Sequence, residues 1–302
     1  MSVITTGAHP KALWPGVHKF VMGQYETHPV EYSQVFDMED SKMAYEEDVE
    51  TTGFGLAQVK AEGAGAAYEG QSQGFIKRYT HVAYSKGYIV TREEMDDNLY
   101  KSRSFKRGAQ LSFSFRTTKE IVAANILNRA FNSSYVGGDG KELLATDHPS
   151  LAGTWSNELA VSADLSEASL ETLLTQIMEA TNSKGLKIAI RGEKLVVPPA
   201  LAFTAERIMK STLQNDTANN AVNAIRSMGL LPGGVVVNHY LTDNDAWFVK
   251  TSVMDGMRGF NRTTFEFTQD NDFDTSNAKA KGYERYSFGW TDPRGLYGSP
   301  GA

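Results

Sequence analysis

Three groups of residues carry side chains able to do chemistry. Asp147-His148 sets a carboxylate beside an imidazole, the pair used in general acid–base and nucleophilic catalysis. A hydrolase would also need a nucleophile held in a defined turn. The match Gly70-Gln71-Ser72-Gln73-Gly74 lies in a glycine-rich stretch and opens no helix, so it is not such a turn and His148 reads as a structural histidine. A carboxylate run spans Asp37, Glu39, Asp40, Glu46, Glu47, Asp48 and Glu50. Its expected meaning is a solvated face, or a partner for basic residues such as Lys77 and Arg78, rather than a metal site. The third group, Asp270, Asp272 and Asp274, has the D-x-D-x-D start of a calcium loop. The sixth position is Thr275 where glycine is needed and the twelfth is Lys281 where glutamate is needed, so it reads as a turn between strands. With no cysteine there is neither a disulfide framework nor thiolate chemistry. No catalytic residue, metal or cofactor is expected, and a soluble α/β enzyme is the weakest functional reading.

The elements that would position these residues follow from patterning. Of 302 residues, 41% are apolar and 22% charged, enough to bury a sizeable core. The apolar stretches are short and broken by proline, and the N-terminus lacks a basic region followed by an apolar one, so neither a membrane span nor a signal peptide is expected. A net charge of −6 argues against a surface that grips nucleic acid. Residues 1–50 are punctuated by His9-Pro10, Trp14-Pro15-Gly16 and His28-Pro29. They read as an irregular arm whose aromatics, Trp14 and Phe20 among them, need a surface to cover, on the fold or on a neighbour. Residues 51–92 read as a long two-stranded excursion with a glycine-rich, flexible tip. FGLAQV forms one side and FIKRYTHVAYSKGYIV the other, carrying Phe54, Tyr68, Phe75, Tyr79 and Tyr84.

Thr91 to Glu94 is a T-x-x-E box opening a short helix. A long helix is expected over 104–131, with Leu111, Phe115, Val122 and Ile126 on a narrow apolar stripe and Arg116, Lys119, Glu120 and Arg129 elsewhere on the wheel. Such a rod, about 42 Å at about 1.5 Å per residue, braces an extended object. A turn-rich loop follows, with a tight turn at Gly138-Asp139-Gly140. Ser166 caps a helix bearing Leu170, Leu173, Leu174, Ile177 and Met178 and running to Lys184-Gly185. Strand LKIAIRGEKLVVPP, a helix opened by Pro198-Pro199, a polar loop over 215–223, and strands near 233–240 and 246–250 complete a compact lobe over 161–262. A β-rich tail closes the chain, with 264–268 alternating.

Arm, long hairpin, long helix, α/β lobe and returning β tail, in that order, resemble the major capsid (major head) proteins of tailed bacteriophages. The phrases YSQVFDMEDSKMAYEEDVETTGFG, AFNSSYVGGDGKELLATDHPSLAG, KLVVPPALAFTAERIMKS and TDPRGLYGS carry the resemblance. The second and third are also similar to head subunits of Mu-like phages. The resemblance implies an α+β fold with an N-terminal arm (1–50), an extended loop overlying a neighbouring subunit (51–92) and a peripheral domain (93–160) with a spine helix over 104–131. An axial domain (161–262) would gather around five-fold and six-fold centres, and 263–302 would return to complete the peripheral sheet. It implies an icosahedral shell of hexamers and pentamers, assembled in the host cytoplasm, that encloses double-stranded DNA without reading its sequence. The partners implied are other copies of the chain, a portal protein, a separate scaffolding protein and a cement protein. Since Met1 lies only about fifty residues before the extended loop, a fused scaffold is not expected. An encapsulin-like compartment loading an enzyme shares this fold and is the alternative. Lys60 lies in the loop that some relatives crosslink, but nothing in the sequence identifies a partner for it.

The expected contacts between subunits are Trp14, Phe20, Phe54, Tyr68, Phe75, Lys77, Arg78 and Tyr79. On this reading, aspartate at Phe75 or Tyr79 leaves the monomer folded by circular dichroism and impairs assembly.

Overall fold

Two four-stranded sheets, linked through one long helix, hold most of the regular structure. The computed structural model describes residues 14–96, 100–214, 221–272, 275 and 277–302. The expected polar loop over 215–223 therefore falls largely outside the described residues. The first sheet has the order β1-β10-β11-β4, from Asp37–Asp40, Met257–Asn271, Ala278–Trp290 and Val82–Val90. β10 and β11 are antiparallel, with Met257 opposite Trp290 and Asp270 opposite Lys279, and β1 runs parallel to β10. Residues 264–268 alternate as expected, with Phe265 and Phe267 buried and Thr264, Glu266 and Thr268 exposed, because successive side chains of a strand face opposite ways.

The second sheet has the order β12-β9-β7-β8, from Leu296–Ser299, Trp247–Thr251, Gly192–Val197 and Val235–Val237. Helices α4 (Glu167–Met178) and α5 (Ala202–Lys210) accompany it. Ser166 caps α4 through a reciprocal box with Ser169, and Leu170, Leu173, Leu174 and Ile177 pack in one core with Leu195, Trp247 and Val249. Met178 was expected on that face but is exposed, and α4 stops there, well before Lys184. Asn182 ends any continuation: its Oδ1 accepts from the backbone N–H of Lys184 and Leu186 at 3.0 and 2.9 Å. The tail also departs from expectation. Residues 257–290 do complete the first sheet, but β12 pairs antiparallel with β9, Leu296 opposite Lys250, at the edge of the second.

The described part of the arm, residues 14–50, is largely regular rather than irregular. Helix α1 covers Trp14–Thr27. Pro15 lies in its first turn, where a missing N–H breaks no helical bond, so this proline opens a helix. α1 crosses α3 (Tyr100–Asn128) at Gly108, where a Cβ would come within 2.5 Å of Val21 Cγ2. Beside it Ser112 Oγ donates to the Val21 carbonyl at 2.9 Å. Tyr25 stacks on Phe265 with centroids 4.5 Å apart, and Phe36 meets Phe288 edge-on at 5.1 Å. These arm aromatics cover the body of their own subunit.

Helix α3 begins earlier and ends sooner than the expected 104–131. A short helix α2 (Arg92–Asp96) precedes it, with the Glu94 N–H on Thr91 Oγ1 at 3.4 Å. The buried stripe of α3 is Leu111, Phe115, Ala123, Ala124 and Leu127, joined by Arg116, Lys119 and Glu120, while Val122 and Ile126 lie at its margins. The three charges were expected on the solvent side. They are buried because each finds partners. Lys119 Nζ donates to Glu284 Oε1 at 2.7 Å and Asn261 Oδ1 at 2.9 Å, and Tyr25 Oη donates to the same Glu284 oxygen at 2.8 Å. The Glu120 carboxylate accepts from the backbone N–H of Glu31 and Tyr32 at 3.0 and 2.9 Å, and Arg116 lies 4.5 Å over the Tyr25 ring. Removing one member strands the other in a dry site, so Lys119→Ala should lower the free energy of unfolding by about 3–5 kcal/mol. Combining Lys119→Met with Glu284→Leu should recover much of that loss; urea titration of the three variants measures both effects.

Candidate assembly surface

The excursion is a hairpin of β2 (Tyr45–Thr51) and β3 (Gln73–Thr80), antiparallel, with Tyr45 opposite Thr80 and Val49 opposite Ile76. FGLAQV, expected as its first strand, has no strand structure, nor does the rest of 52–72. The acidic run supplies that strand instead. Glu47 faces Arg78 and Asp48 faces Lys77 across the pair, so opposite charges set the register. Arg78 makes a 2.6 Å ion pair with Glu47 and lies 4.3 Å over the Tyr45 ring, as expected of a basic partner for the run. FGLAQV contains Gly55 and is flanked by Gly53, Gly63 and Gly65, which weaken a strand that has no paired neighbour among the described residues. Thr52 Oγ1 donates to the Ser72 carbonyl at 2.9 Å and closes the base.

That base is clamped to the body. Arg258 reaches Asp48 at 2.7 Å, Thr291 Oγ1 donates to the same carboxylate at 2.7 Å, and Tyr79 Oη meets Thr291 Oγ1 at 2.6 Å. Tyr79 packs its ring 4.9 Å from Phe260 and is only 2% exposed, and burial raises the pKa of its phenol. It cannot offer a surface to a neighbour, so its expected role between subunits is corrected: Tyr79 belongs to the subunit core. Lys77 is half-buried, with Nζ 4.5 Å over Trp290 and donating to the Val136 carbonyl at 3.3 Å; burial lowers its pKa. It too is engaged within the subunit. Gly138 is needed where the 137–141 turn meets β3, since a Cβ there would lie 2.9 Å from the Ile76 carbonyl.

Behind this turn sits the histidine that resembled a catalytic group. His148 is fully buried, with Nδ1 2.6 Å from Asp139 Oδ2, Nε2 3.0 Å from Asn157 Oδ1, and its ring stacked 4.7 Å from Trp155. Asn157 Nδ2 donates to the carbonyls of Leu143, Pro293 and Leu296. Asp147, the sequence neighbour, pairs with Lys141 instead. Every atom of this relay is spent on joining the loop to the tail, and none faces a nucleophile. Among the described residues there is no group of three or more potential metal ligands, and no helix is long and apolar enough to cross a membrane. Asp272 pairs with Lys279 at 2.6 Å beside the β10–β11 turn; Asp274 lies outside the described residues.

Beyond the clamp the hairpin tip presents apolar side chains to solvent. Phe54 is 57% exposed, Tyr68 97% and Phe75 39%, and the sequence reading missed Leu56, Val59 and Ile76 beside them. Their signal was apolar residues in a glycine-rich stretch too poor in partners to form a strand. Glu69 tethers the tip, accepting from the Gly55 N–H at 2.8 Å and pairing with Lys184 at 2.7 Å. Phe20 is half-buried on α1, and the Trp14 side chain lies outside the described residues. Of the eight expected contacts, Phe54, Tyr68, Phe75 and Arg78 therefore lie on one accessible excursion.

Comparison with known proteins follows the same outline. A family model described as phage capsid protein matches residues 76–299. No curated protein matches the sequence. Among solved structures, a virus-like particle from Pyrococcus furiosus is 11% identical with a TM-score of 0.55, over 94% of this chain and 98% of that one. Mycobacterium phage Che8 is 13% identical with a TM-score of 0.54, over 90% and 91%. The capsid of Myoviridae phage XM1 is 10% identical with a TM-score of 0.51, over 89% of each chain. At these identities the likeness is one of fold.

Removal of the buried ring should act on stability: His148→Ala is expected to cost about 2–4 kcal/mol, from the cavity left and from the orphaned Asp139 and Asn157 groups. Chemical denaturation checks it.

Proposed function

Because the chain belongs to the phage capsid protein family, and is thus a structural, shell-forming subunit of the virion, we propose that the 52–72 tip and Phe75 are the contacts through which one subunit overlies the next. The observation that carries this is the contrast between a clamped base and a bare tip. Tyr79, Asp48 and Thr291 lock β2 and β3 to the body, while Phe54, Leu56, Val59 and Tyr68 stand exposed among the described residues. An exposed apolar group of this kind marks an association site. On this reading 1–50 is the arm, whose described residues 14–50 fold onto their own subunit, 51–92 the overlying loop, and 93–160 with most of 257–290 a peripheral domain. Residues 161–256 with β12 form an axial domain that gathers into rings of five and six. Rings sharing edges close a shell, and many weak contacts at high effective concentration hold it.

The assembly assigned to it is a head around double-stranded DNA, formed in the host cytoplasm with a separate scaffold, a portal and a cement protein. Such an acidic subunit encloses DNA without gripping it. Its branch is that of the Mu-like head subunits, on the AFNSSYVGGDGKELLATDHPSLAG and KLVVPPALAFTAERIMKS phrases. The alternative, a compartment holding an enzyme, would carry protein cargo in place of nucleic acid, and the contents of purified particles separate the two.

Phe54→Asp and Tyr68→Asp should leave the subunit's circular dichroism and melting unchanged, while Tyr79→Asp should unfold it. Negative-stain microscopy of the first two, expressed with the scaffold, should show free subunits where the unaltered chain gives shells. Shells of normal number from both would remove the tip from the interface.

A further inference from the structure

A cavity of about 360 Å³ opens between the hairpin base and the body. Glu50, Ser72 and Phe75 line it from the hairpin, Leu151 and Trp155 from the β5–β6 turn (His148–Ser150 and Gly153–Trp155), and Arg294 from the tail. Its walls are largely apolar, and its rim is apolar as well: Leu151 is 67% exposed beside Phe75. Its charges do not balance. Arg294 is already used, donating from Nε to the Thr181 carbonyl at 2.8 Å, pairing with Asp292 at 3.2 Å and lying 4.2 Å over Trp155. Asp139, also in the lining, is committed to His148. Glu50 makes no salt bridge among the described residues; the Phe75 backbone N–H donates to its carboxylate and leaves the charge without a cation paired to it. Burial raises its pKa first, with Asp292 and Asp139 adding to the rise and Arg294 opposing it.

Sign follows from direction. A carboxyl whose pKa is raised on folding favours the fold below its ordinary value of 4.5 and loses that contribution as pH climbs through the raised value. At neutral pH the ionised Glu50 therefore works against the isolated subunit. A neutral isostere would serve folding better, so the acid needs a reason outside the monomer.

We propose that this cavity receives a lysine or arginine side chain from a second copy of the chain, its alkyl stem between Trp155, Phe75 and Leu151 and its cation on Glu50. The proposal rests on the shell-forming reading above, which supplies the second copy. Charge complementarity argues for it, as does the site's form: an apolar rim around a desolvated acid is the setting in which a basic anchor contributes most to association.

Glu50→Gln tests it through two effects of opposite sign. The isolated variant should melt higher than the unaltered subunit at pH 7.5, with the difference vanishing below pH 4.5. Its assembly should require about tenfold more protein. Agmatine, a guanidinium on a short alkylamine, should raise the melting temperature of the unaltered subunit and not that of the variant, because a ligand stabilises only the state that binds it. Electron cryomicroscopy of the unaltered shell should place a neighbour's ammonium or guanidinium against Glu50. A shell whose cavity holds no cation from a neighbour overturns the proposal, as does a variant that assembles at the unaltered concentration. Failure of the unaltered chain to form any shell would count against the assembly reading instead, and the agmatine shift then decides whether the cavity takes this chemistry: no shift overturns it.

Discussion

One buried ammonium group holds together parts of the chain that are far apart in sequence. Lys119 Nζ, on the long helix, touches Glu284 on β11 and Asn261 on β10, and Tyr25 of α1 donates to the same Glu284 oxygen. Taking both charges out of water costs several kcal/mol each, which the attraction between them and these neutral donors and acceptors must offset. Apolar packing alone would leave a helix free to slide or rotate on a sheet. A charge that must meet its partner at 2.7 Å does not allow that freedom. The arm, the helix and the central strand pair are thereby registered to one another, and the hairpin that extends from this frame starts from a defined position.

Much of this was legible in sequence, and the failures have physical causes. The Ser166 cap and its leucines, the proline-opened α5 and the alternation over 264–268 could be read because each depends on neighbours in the chain. The close approach of Val21 at Gly108 could not be read, because it depends on a helix distant in the chain. Lys119 and Glu120 were put in solvent because a helical wheel knows hydrophobicity but not partners, and theirs come from 31, 32, 261 and 284. The acidic run was read as a solvated face or a partner for Lys77 and Arg78; the pairing of Glu47 with Arg78 agrees, but that the run is itself a strand was not read. Cross-strand charge pairing with Lys77 and Arg78 leaves no periodicity in either strand alone. Tyr79 and Phe75 look alike in sequence, four residues apart on the same strand, yet Tyr79 meets Thr291 and Phe260 while Phe75 faces a cavity.

The exposed surface divides according to what supports it. Where side chains from the body reach the hairpin, polar pairs and rings fix it; where they do not, the chain carries aromatic and aliphatic groups without cover. Between the Thr52–Ser72 bonds at its base the 52–72 loop is tethered by Glu69, and fixing each further backbone residue costs about 1–2 kcal/mol. For the proposed contact with a neighbour, the apolar area buried has to exceed that cost, which gives a reason for several exposed groups there instead of one.

β12 follows every other described strand in the chain, yet it pairs with β9 and covers the edge of the second sheet. Synthesis runs from the N-terminus at about 5–20 residues per second. During that time the arm, the long helix and the hairpin emerge first, while the edge of β9 stays open until residues 296–299 arrive. A nascent chain thus displays the exposed apolar groups of the 52–72 loop before its lobe can close. A subunit interrupted before Leu296 keeps the β9 edge unpaired, a row of free N–H and C=O groups open to pairing with another chain, so the last few residues guard the lobe against edge-to-edge association.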